Sequence, residues 1–248
     1  IFSPVIITSP GNRKRLNMDS IFEPEIVYSD FGSNPDFKNC IDIISFCHNK
    51  MFDGVIVIGG GSAMDLAKVV MAHLSLKKTD ICELIDYKDG YPKSIPSIFI
   101  PTTHGTGSEV TMWGTIWNMK GKKYSISNPN LYPTVAILDG SLSLSLPLDI
   151  SIITTMDALS HSFEAIWNKN ANNTSNNLAI SAICSILRNL PLLKKAPSSL
   201  KIRNELLGAS TMAGLAFSNT KTAASHSISY PLTINYGIPH RSRIFDQF

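Results

Sequence analysis

Val55-Ile56-Val57-Ile58 is an unbroken apolar run that enters Gly59-Gly60-Gly61-Ser62 directly. A strand with one wet face alternates apolar and polar residues. A strand with no polar position is covered on both faces, as in a parallel sheet lying between layers of helices. Residues after the glycines read as a helix through Leu74. Further apolar runs predict strands at residues 5–8, 25–28, 97–101 and 135–138, with two more at 110–117 and 123–126. Phe37, Ile41, Ile44 and Cys47 recur at helical spacing and predict a helix over 37–50. Strand, helix and strand in alternation mean a mostly parallel α/β sheet. Past Pro147 the pattern changes. Residues 154–167, 177–195, 201–217 and 222–230 read as helices, and residues 168–177 as an asparagine-rich loop. The expected architecture is an α/β domain over 1–147 followed by an all-helical domain over 148–248.

Composition narrows the function classes. A net charge of +3 is mild, and the basic runs at Arg13-Lys14-Arg15, Lys120–Lys123 and Arg241 with Arg243 are short and dispersed, so no nucleic-acid partner is expected. No stretch approaches the roughly 20 apolar residues of a membrane span. The cysteines Cys40, Cys47, Cys82 and Cys184 form no CxxC pair. Cys40 and Cys47 read as core thiols, which fits a reduced, cytoplasmic setting.

Three segments carry chemistry. Glycines at 59–61, after a buried strand and before a helix, let a backbone approach phosphate at a helix N-terminus. Ser62 is placed to cap that helix or to touch the phosphate. A tight strand-to-helix turn is the competing reading, and Asp65 and Lys68 are spaced to pair with each other. Thr102-Thr103-His104-Gly105-Thr106-Gly107-Ser108-Glu109 follows another buried strand. Its hydroxyls suit ribose or phosphate at the carboxyl end of a sheet, where open α/β folds bind ligands; an irregular structural loop is the alternative. His104 has no acidic or histidine companion at helical spacing, which argues against a metal ligand there. Asp157 and His161, four apart, share one helix face, and a carboxylate with an imidazole suits a divalent ion in the zinc and iron range. Glu164 follows as a supporting or third oxygen donor, and His226 and His240 complete a set of four. A capping aspartate and a hydrogen-bonded histidine are the plainer account of the first pair. His48 and His73 fall on surface-like helices.

Together these motifs resemble the iron-containing, or group III, alcohol dehydrogenases. The resemblance runs from about Val5 to His240 and rests on Gly59–Ser62 with Asp65, Ala67 and Lys68, on Pro101–Thr111, and on Asp157-Ala158-Leu159 with His161 and Glu164. It implies a Rossmann-like dinucleotide-binding domain followed by a helical metal-binding domain. It implies metal ligands Asp157, His161, His226 and His240, holding Fe²⁺ or alternatively Zn²⁺. It implies a pyrophosphate site at Gly59, Gly60, Gly61 and Ser62, and cofactor contacts from Asp65, Thr102, Thr103, Thr106 and Lys123. The implied reaction is NAD(H)- or NADP(H)-linked interconversion of a small aldehyde and its alcohol by a homodimer.

The sequence also departs from that family. Tyr230 stands where many members carry a histidine near the substrate, and is expected as a proton relay or substrate contact. Ser9 stands where an acidic residue often meets the adenosine ribose, with Arg13-Lys14-Arg15 behind it. A serine there tolerates a 2′-phosphate that a carboxylate repels. The segment around Tyr230 is similar to phosphonoacetaldehyde reductases, whose anionic substrate calls for basic contacts, with His104 and Lys123 as the candidates. The resemblance further implies that the family's lead-in strand region and much of its helical domain are missing, so an inactive nucleotide-binding remnant is the rival expectation.

Overall fold

The computed structural model describes residues 1–87, 89–118 and 121–221. The sequence-predicted helix at 222–230, and with it His226 and Tyr230, lies outside the described residues, as does His240. The chain folds as two compact units: Ile1–Pro101 with Thr111–Ile137, and Thr102–Val110 with Leu138–Phe248.

The first unit is the expected α/β layer structure. Its strands are β1 (Pro4–Thr8), β2 (Val27–Tyr28), β3 (Gly54–Gly59), β4 (Ser97–Pro101) and β7 (Val135–Ala136), all parallel, in the order β2-β1-β3-β4-β7. The helices are α1 (Pro10–Arg15), α2 (Phe37–His48), α3 (Gly61–Leu76) and α4 (Ile81–Asp86). Val55, Val57, Val5 and Ile7 are fully buried, as an apolar run in a covered sheet requires. Each such side chain removed from water contributes roughly 1.5–3 kcal/mol. α3 is buried along most of its length, and even Lys68 and His73 are enclosed. Lys68 Nζ donates to Thr111 Oγ1 at 3.1 Å and to the Trp113 carbonyl at 2.7 Å. α2 begins at a reciprocal cap, where Asp36 takes the Asn39 N–H and the Asn39 side chain takes the Asp36 N–H.

Several boundaries differ from the sequence reading. Residues 110–117 do not join the main sheet. A short 3₁₀ turn fills Ser108–Val110, and β5 (Trp113–Trp117) pairs antiparallel with β6 (Lys123–Ser127) as a separate ribbon. Ser9, expected beside the adenosine ribose, caps α1, its Oγ accepting the Asn12 N–H. His73 is only 5% exposed rather than on a surface face.

The second unit is helical among the described residues. It holds α5 (Leu148–Trp167), α6 (Asn173–Lys195) and α7 (Leu200–Thr220). Small buried residues, Ala158, Ala182, Ala209 and Ala213, let the three helices approach closely around Ile186, Leu193 and Leu206. α6 starts earlier than the asparagine-rich stretch suggests, because Asn172 and Ser175 cap each other reciprocally.

Candidate functional site

In the first unit the chain leaves β1 to build β2 on one side and then returns to build β3 on the other. The carboxyl ends of β1 and β3 therefore flank the switch point where doubly wound sheets bind ligands. Thr8 Oγ1 donates to the Ile58 carbonyl at 2.7 Å and Asn12 Nδ2 to the same oxygen at 3.4 Å, tying the two strand ends together. A Cβ on Gly59 would lie 2.6 Å from Ala63 Cβ, so α3 starts hard against the strand only because that residue is glycine. Gly60 is the N-cap of α3 and supplies no side-chain acceptor to its first turn. Those N–H groups and the helix dipole form an anion cradle. Ser62 is not the cap; its Oγ accepts the Asn34 N–H at 3.1 Å. Half-buried Lys123 on β6 has its pKa pushed down to about 8 by burial, with the carboxylate of Asp65, in the first turns of α3, pulling it back up.

Ser9 offers no carboxylate at the end of β1. Of the three bases behind it, Arg13 pairs with Asp19 at 2.7 Å and reaches the Val27 carbonyl and Ser29 Oγ, while Arg15 donates to Asn12 Oδ1.

The threonine-rich segment belongs to the second unit. Thr102 is buried, whereas Thr103 and Thr106 are partly exposed. A Cβ on Gly105 would lie 2.9 Å from the Thr154 carbonyl. Gly107 adopts a left-handed φ of 56° against Gly214, and Glu109 accepts a 2.7 Å hydrogen bond from Thr211 Oγ1. His104 is fully buried. Its Nε2 lies 3.0 Å from Ser143 Oγ, whose own proton goes to the Gly140 carbonyl at 2.8 Å. Nε2 must therefore be the donor, which leaves Nδ1 an acceptor without a partner. Burial, then the charge of Arg203, hold His104 down at about 3, so the ring is neutral at ordinary pH.

On α5, Asp157 and His161 are each 6% exposed and one turn apart, and Glu164, a further turn on, is fully buried. Thr154, Thr155 and Ser162 donate to carbonyls of their own helix, whereas the buried Ser160 Oγ makes no hydrogen bond among the described residues. The His161 ring stacks on Phe217 with centroids 4.4 Å apart. Among the described residues no three His, Cys, Asp or Glu side chains gather, and His226 and His240 lie outside them. The two donors present still fit a divalent ion. They offer one carboxylate oxygen and one imidazole nitrogen on one helix face, and a carboxylate buried this deeply calls for a cation or hydrogen bonds to offset its desolvation.

Sequence reasoning missed Arg203. It is 1% exposed, yet donates to the Pro197 carbonyl, Ser151 Oγ and the Leu146 carbonyl. No motif marks it; an arginine on a helix otherwise reads as solvated.

Comparison with known proteins places this fold and these motifs. The sequence pattern of the iron-containing alcohol dehydrogenases matches residues 3–140, and that of their C-terminal domain matches residues 151–243. The chain belongs to the iron-containing alcohol dehydrogenase family. It is 37% identical to a long-chain-alcohol dehydrogenase of Geobacillus thermodenitrificans over 86% of its own length and 54% of that protein. It is 34% identical to a 4-hydroxybutyrate dehydrogenase of Clostridium kluyveri over 80% of its length and 54% of that one. Among solved structures it superposes on a sulfoacetaldehyde reductase of Bifidobacterium kashiwanohense in complex with NAD+, with a TM-score of 0.87 and 32% identity, covering 98% of this chain and 66% of that one. The chain thus spans about half the length of the curated relatives it matches.

Proposed function

We propose that this chain carries the cofactor- and metal-binding parts of an alcohol dehydrogenase that passes hydride between NAD(P)H and a small aldehyde. The observation that carries this reading is the enclosed Asp157–His161 pair, one turn apart on α5. A divalent ion held by Asp157, His161, His226 and His240, Fe²⁺ first and Zn²⁺ second, would supply Lewis acidity toward a carbonyl oxygen. The chain's own groups bind and orient. The first turn of α3, made approachable by Gly59, Gly60 and Gly61, takes the cofactor pyrophosphate, with Ser62 and Asp65 beside it. Thr102, Thr103 and Thr106 hydrogen-bond the cofactor, and Lys123 faces its negative charge. Tyr230 is the proposed hydroxyl donor near the substrate; with a reference pKa near 10 it serves as a donor and not as a base at neutral pH.

Both nicotinamide cofactors are accepted on this reading. Ser9 places no carboxylate against a 2′-phosphate, while Asp19 already shares the charge of Arg13. Initial rates with NADH and NADPH test this point, and absence of turnover with NADPH defeats it. A simple short-chain aldehyde is the first expected substrate. An anionic two-carbon aldehyde such as phosphonoacetaldehyde is the second. It is favoured by the likeness to a sulfoacetaldehyde reductase and by a Lys123 that still carries charge at neutral pH. His104, enclosed and neutral, is on this view a support for its own loop more than a charged contact. Relative turnover of butanal and phosphonoacetaldehyde separates the two substrates.

The deciding experiment measures metal content and NAD(P)H oxidation together, for the parent and for Asp157→Asn and His161→Gln. The reading expects a stoichiometric ion in the parent and its loss in both variants. A parent without bound metal and without turnover defeats it, and leaves a nucleotide-binding remnant.

A further inference from the structure

At the opposite end of α3 from its glycine turn, two imidazoles meet. His48 is the last residue of α2, and His73 stands in the last turn of α3. Their ring centroids are 6.4 Å apart with the planes inclined at 48°. His73 Nδ1 lies 2.7 Å from the Lys78 carbonyl oxygen. A carbonyl only accepts, so Nδ1 carries the ring proton and Nε2 keeps its lone pair. This is how a metal-ligating histidine is prepared: its far nitrogen donates to a carbonyl, which fixes the tautomer and ring orientation and makes the near nitrogen more basic.

We propose that His48 and His73 form a second metal site, a two-imidazole clasp for a late first-row divalent cation such as Zn²⁺ or Ni²⁺, with water filling the remaining positions. Imidazole nitrogen suits these ions. Two rings on one ion, each bonded at about 2.1 Å, hold their centroids roughly 4.5–6.4 Å apart, depending on the angle at the metal. The observed 6.4 Å is the linear limit of that window, which an octahedral ion such as Ni²⁺ reaches with trans ligands, while a tetrahedral ion such as Zn²⁺ needs the rings about 1 Å closer. His48 is exposed and is the ring that swings inward. Both rings stand at helix C-termini, where the dipoles favour a cation. Burial lowers the His73 pKa, the bond to the Lys78 carbonyl partly opposes this, and His48 and Lys77 lower it further, all of which favours the neutral, ligating ring over the imidazolium. The nearby Lys77 charge and the absence of a third donor among the described residues make the site weaker than a closed structural one.

Ni²⁺ uptake by equilibrium dialysis tests the proposal on the whole chain. The parent is compared with His48→Gln and with an Asp157→Asn, His161→Gln double variant. The clasp predicts one fewer bound equivalent in His48→Gln than in the parent, and that this equivalent survives in the double variant. Equal uptake by parent and His48→Gln, with matching circular dichroism, overturns it. Loss of that equivalent in the double variant overturns it too. As an independent reading, Ni²⁺ should broaden the His73 ring signals in imidazole NMR of the parent and leave them sharp in His48→Gln. Sharp His73 signals in the parent also overturn the clasp.

Discussion

Gly107 and Gly214 meet backbone to backbone: a Cβ on Gly107 would lie 2.5 Å from Gly214 Cα, and a Cβ on Gly214 would lie 2.8 Å from Gly107 Cα. This contact, with the Thr211–Glu109 hydrogen bond, fastens the threonine-rich loop to α7. Gly107 also needs its left-handed φ of 56°, which side chains with a Cβ resist. Gly107→Ala therefore combines backbone strain with overpacking against an immovable backbone, and should cost roughly 2–4 kcal/mol. Gly214→Ala carries only the overpacking, about 1–3 kcal/mol. Urea denaturation monitored by circular dichroism checks the order. A Gly107→Ala midpoint equal to that of the parent contradicts the contact.

Arg203 holds three separate backbone or side-chain acceptors from inside the helical unit, and among the described residues it forms no ion pair. Arg203→Met removes a buried cation but takes the donor from the Leu146 and Pro197 carbonyls, while Ser151 Oγ keeps its own bond to the Pro147 carbonyl. The cost should be roughly 2–4 kcal/mol. Arg203→Lys should recover little, because an ammonium cannot reproduce the three-directional fork. Thermal melts of the two variants check this, and full recovery by lysine would mean that charge, not geometry, matters.

The four cysteines divide by burial. Cys40 and Cys47 are enclosed in the α/β core and burial pushes both thiols up to about 12, whereas Cys82 and Cys184 are exposed. Thiolate is the reactive form. At pH 8 a disulfide reagent should label Cys82 and Cys184 quickly in the folded chain, and Cys40 and Cys47 only after denaturant is added. Peptide mapping of the labelled chain distinguishes the pairs.

Legibility followed the range of the interactions. The continuous run at residues 55–58 and the glycines behind it specify strand, turn and helix locally, and the structure places all three there. The Asp157–His161 face needs only helical geometry. By contrast, the partner of Gly107 is Gly214, far along the chain, so no local pattern announces that residues 102–110 join the helical unit. Residues 110–117 and 123–126 read as strands, but strand propensity does not say which sheet a strand enters. α4 is a single short helix started by the Asp80 side chain, and its pattern is too brief to register. Arg203 and His73 were invisible as buried groups because a polar side chain on a helix carries no mark of its burial.

Lys123 gives the proposed cofactor site a pH dependence whose sign follows from its environment. Burial holds the folded, unliganded ammonium at about 8. A bound dinucleotide brings negative phosphates, which favour the protonated lysine and raise its pKa in the complex. Below about 8 the lysine is charged in both states, and affinity should be flat with pH. Above that value the free protein loses its proton while the complex keeps it, so binding takes up a proton and weakens as pH rises, until the pKa of the complex is passed. Lys123→Met should bind the dinucleotide about tenfold more weakly at pH 7, for a loss of ~1.4 kcal/mol, and should show no such decline between pH 7 and 9. Fluorescence titration of NADH against parent and variant across that range is the check. A decline that persists unchanged in Lys123→Met assigns the titration to another group.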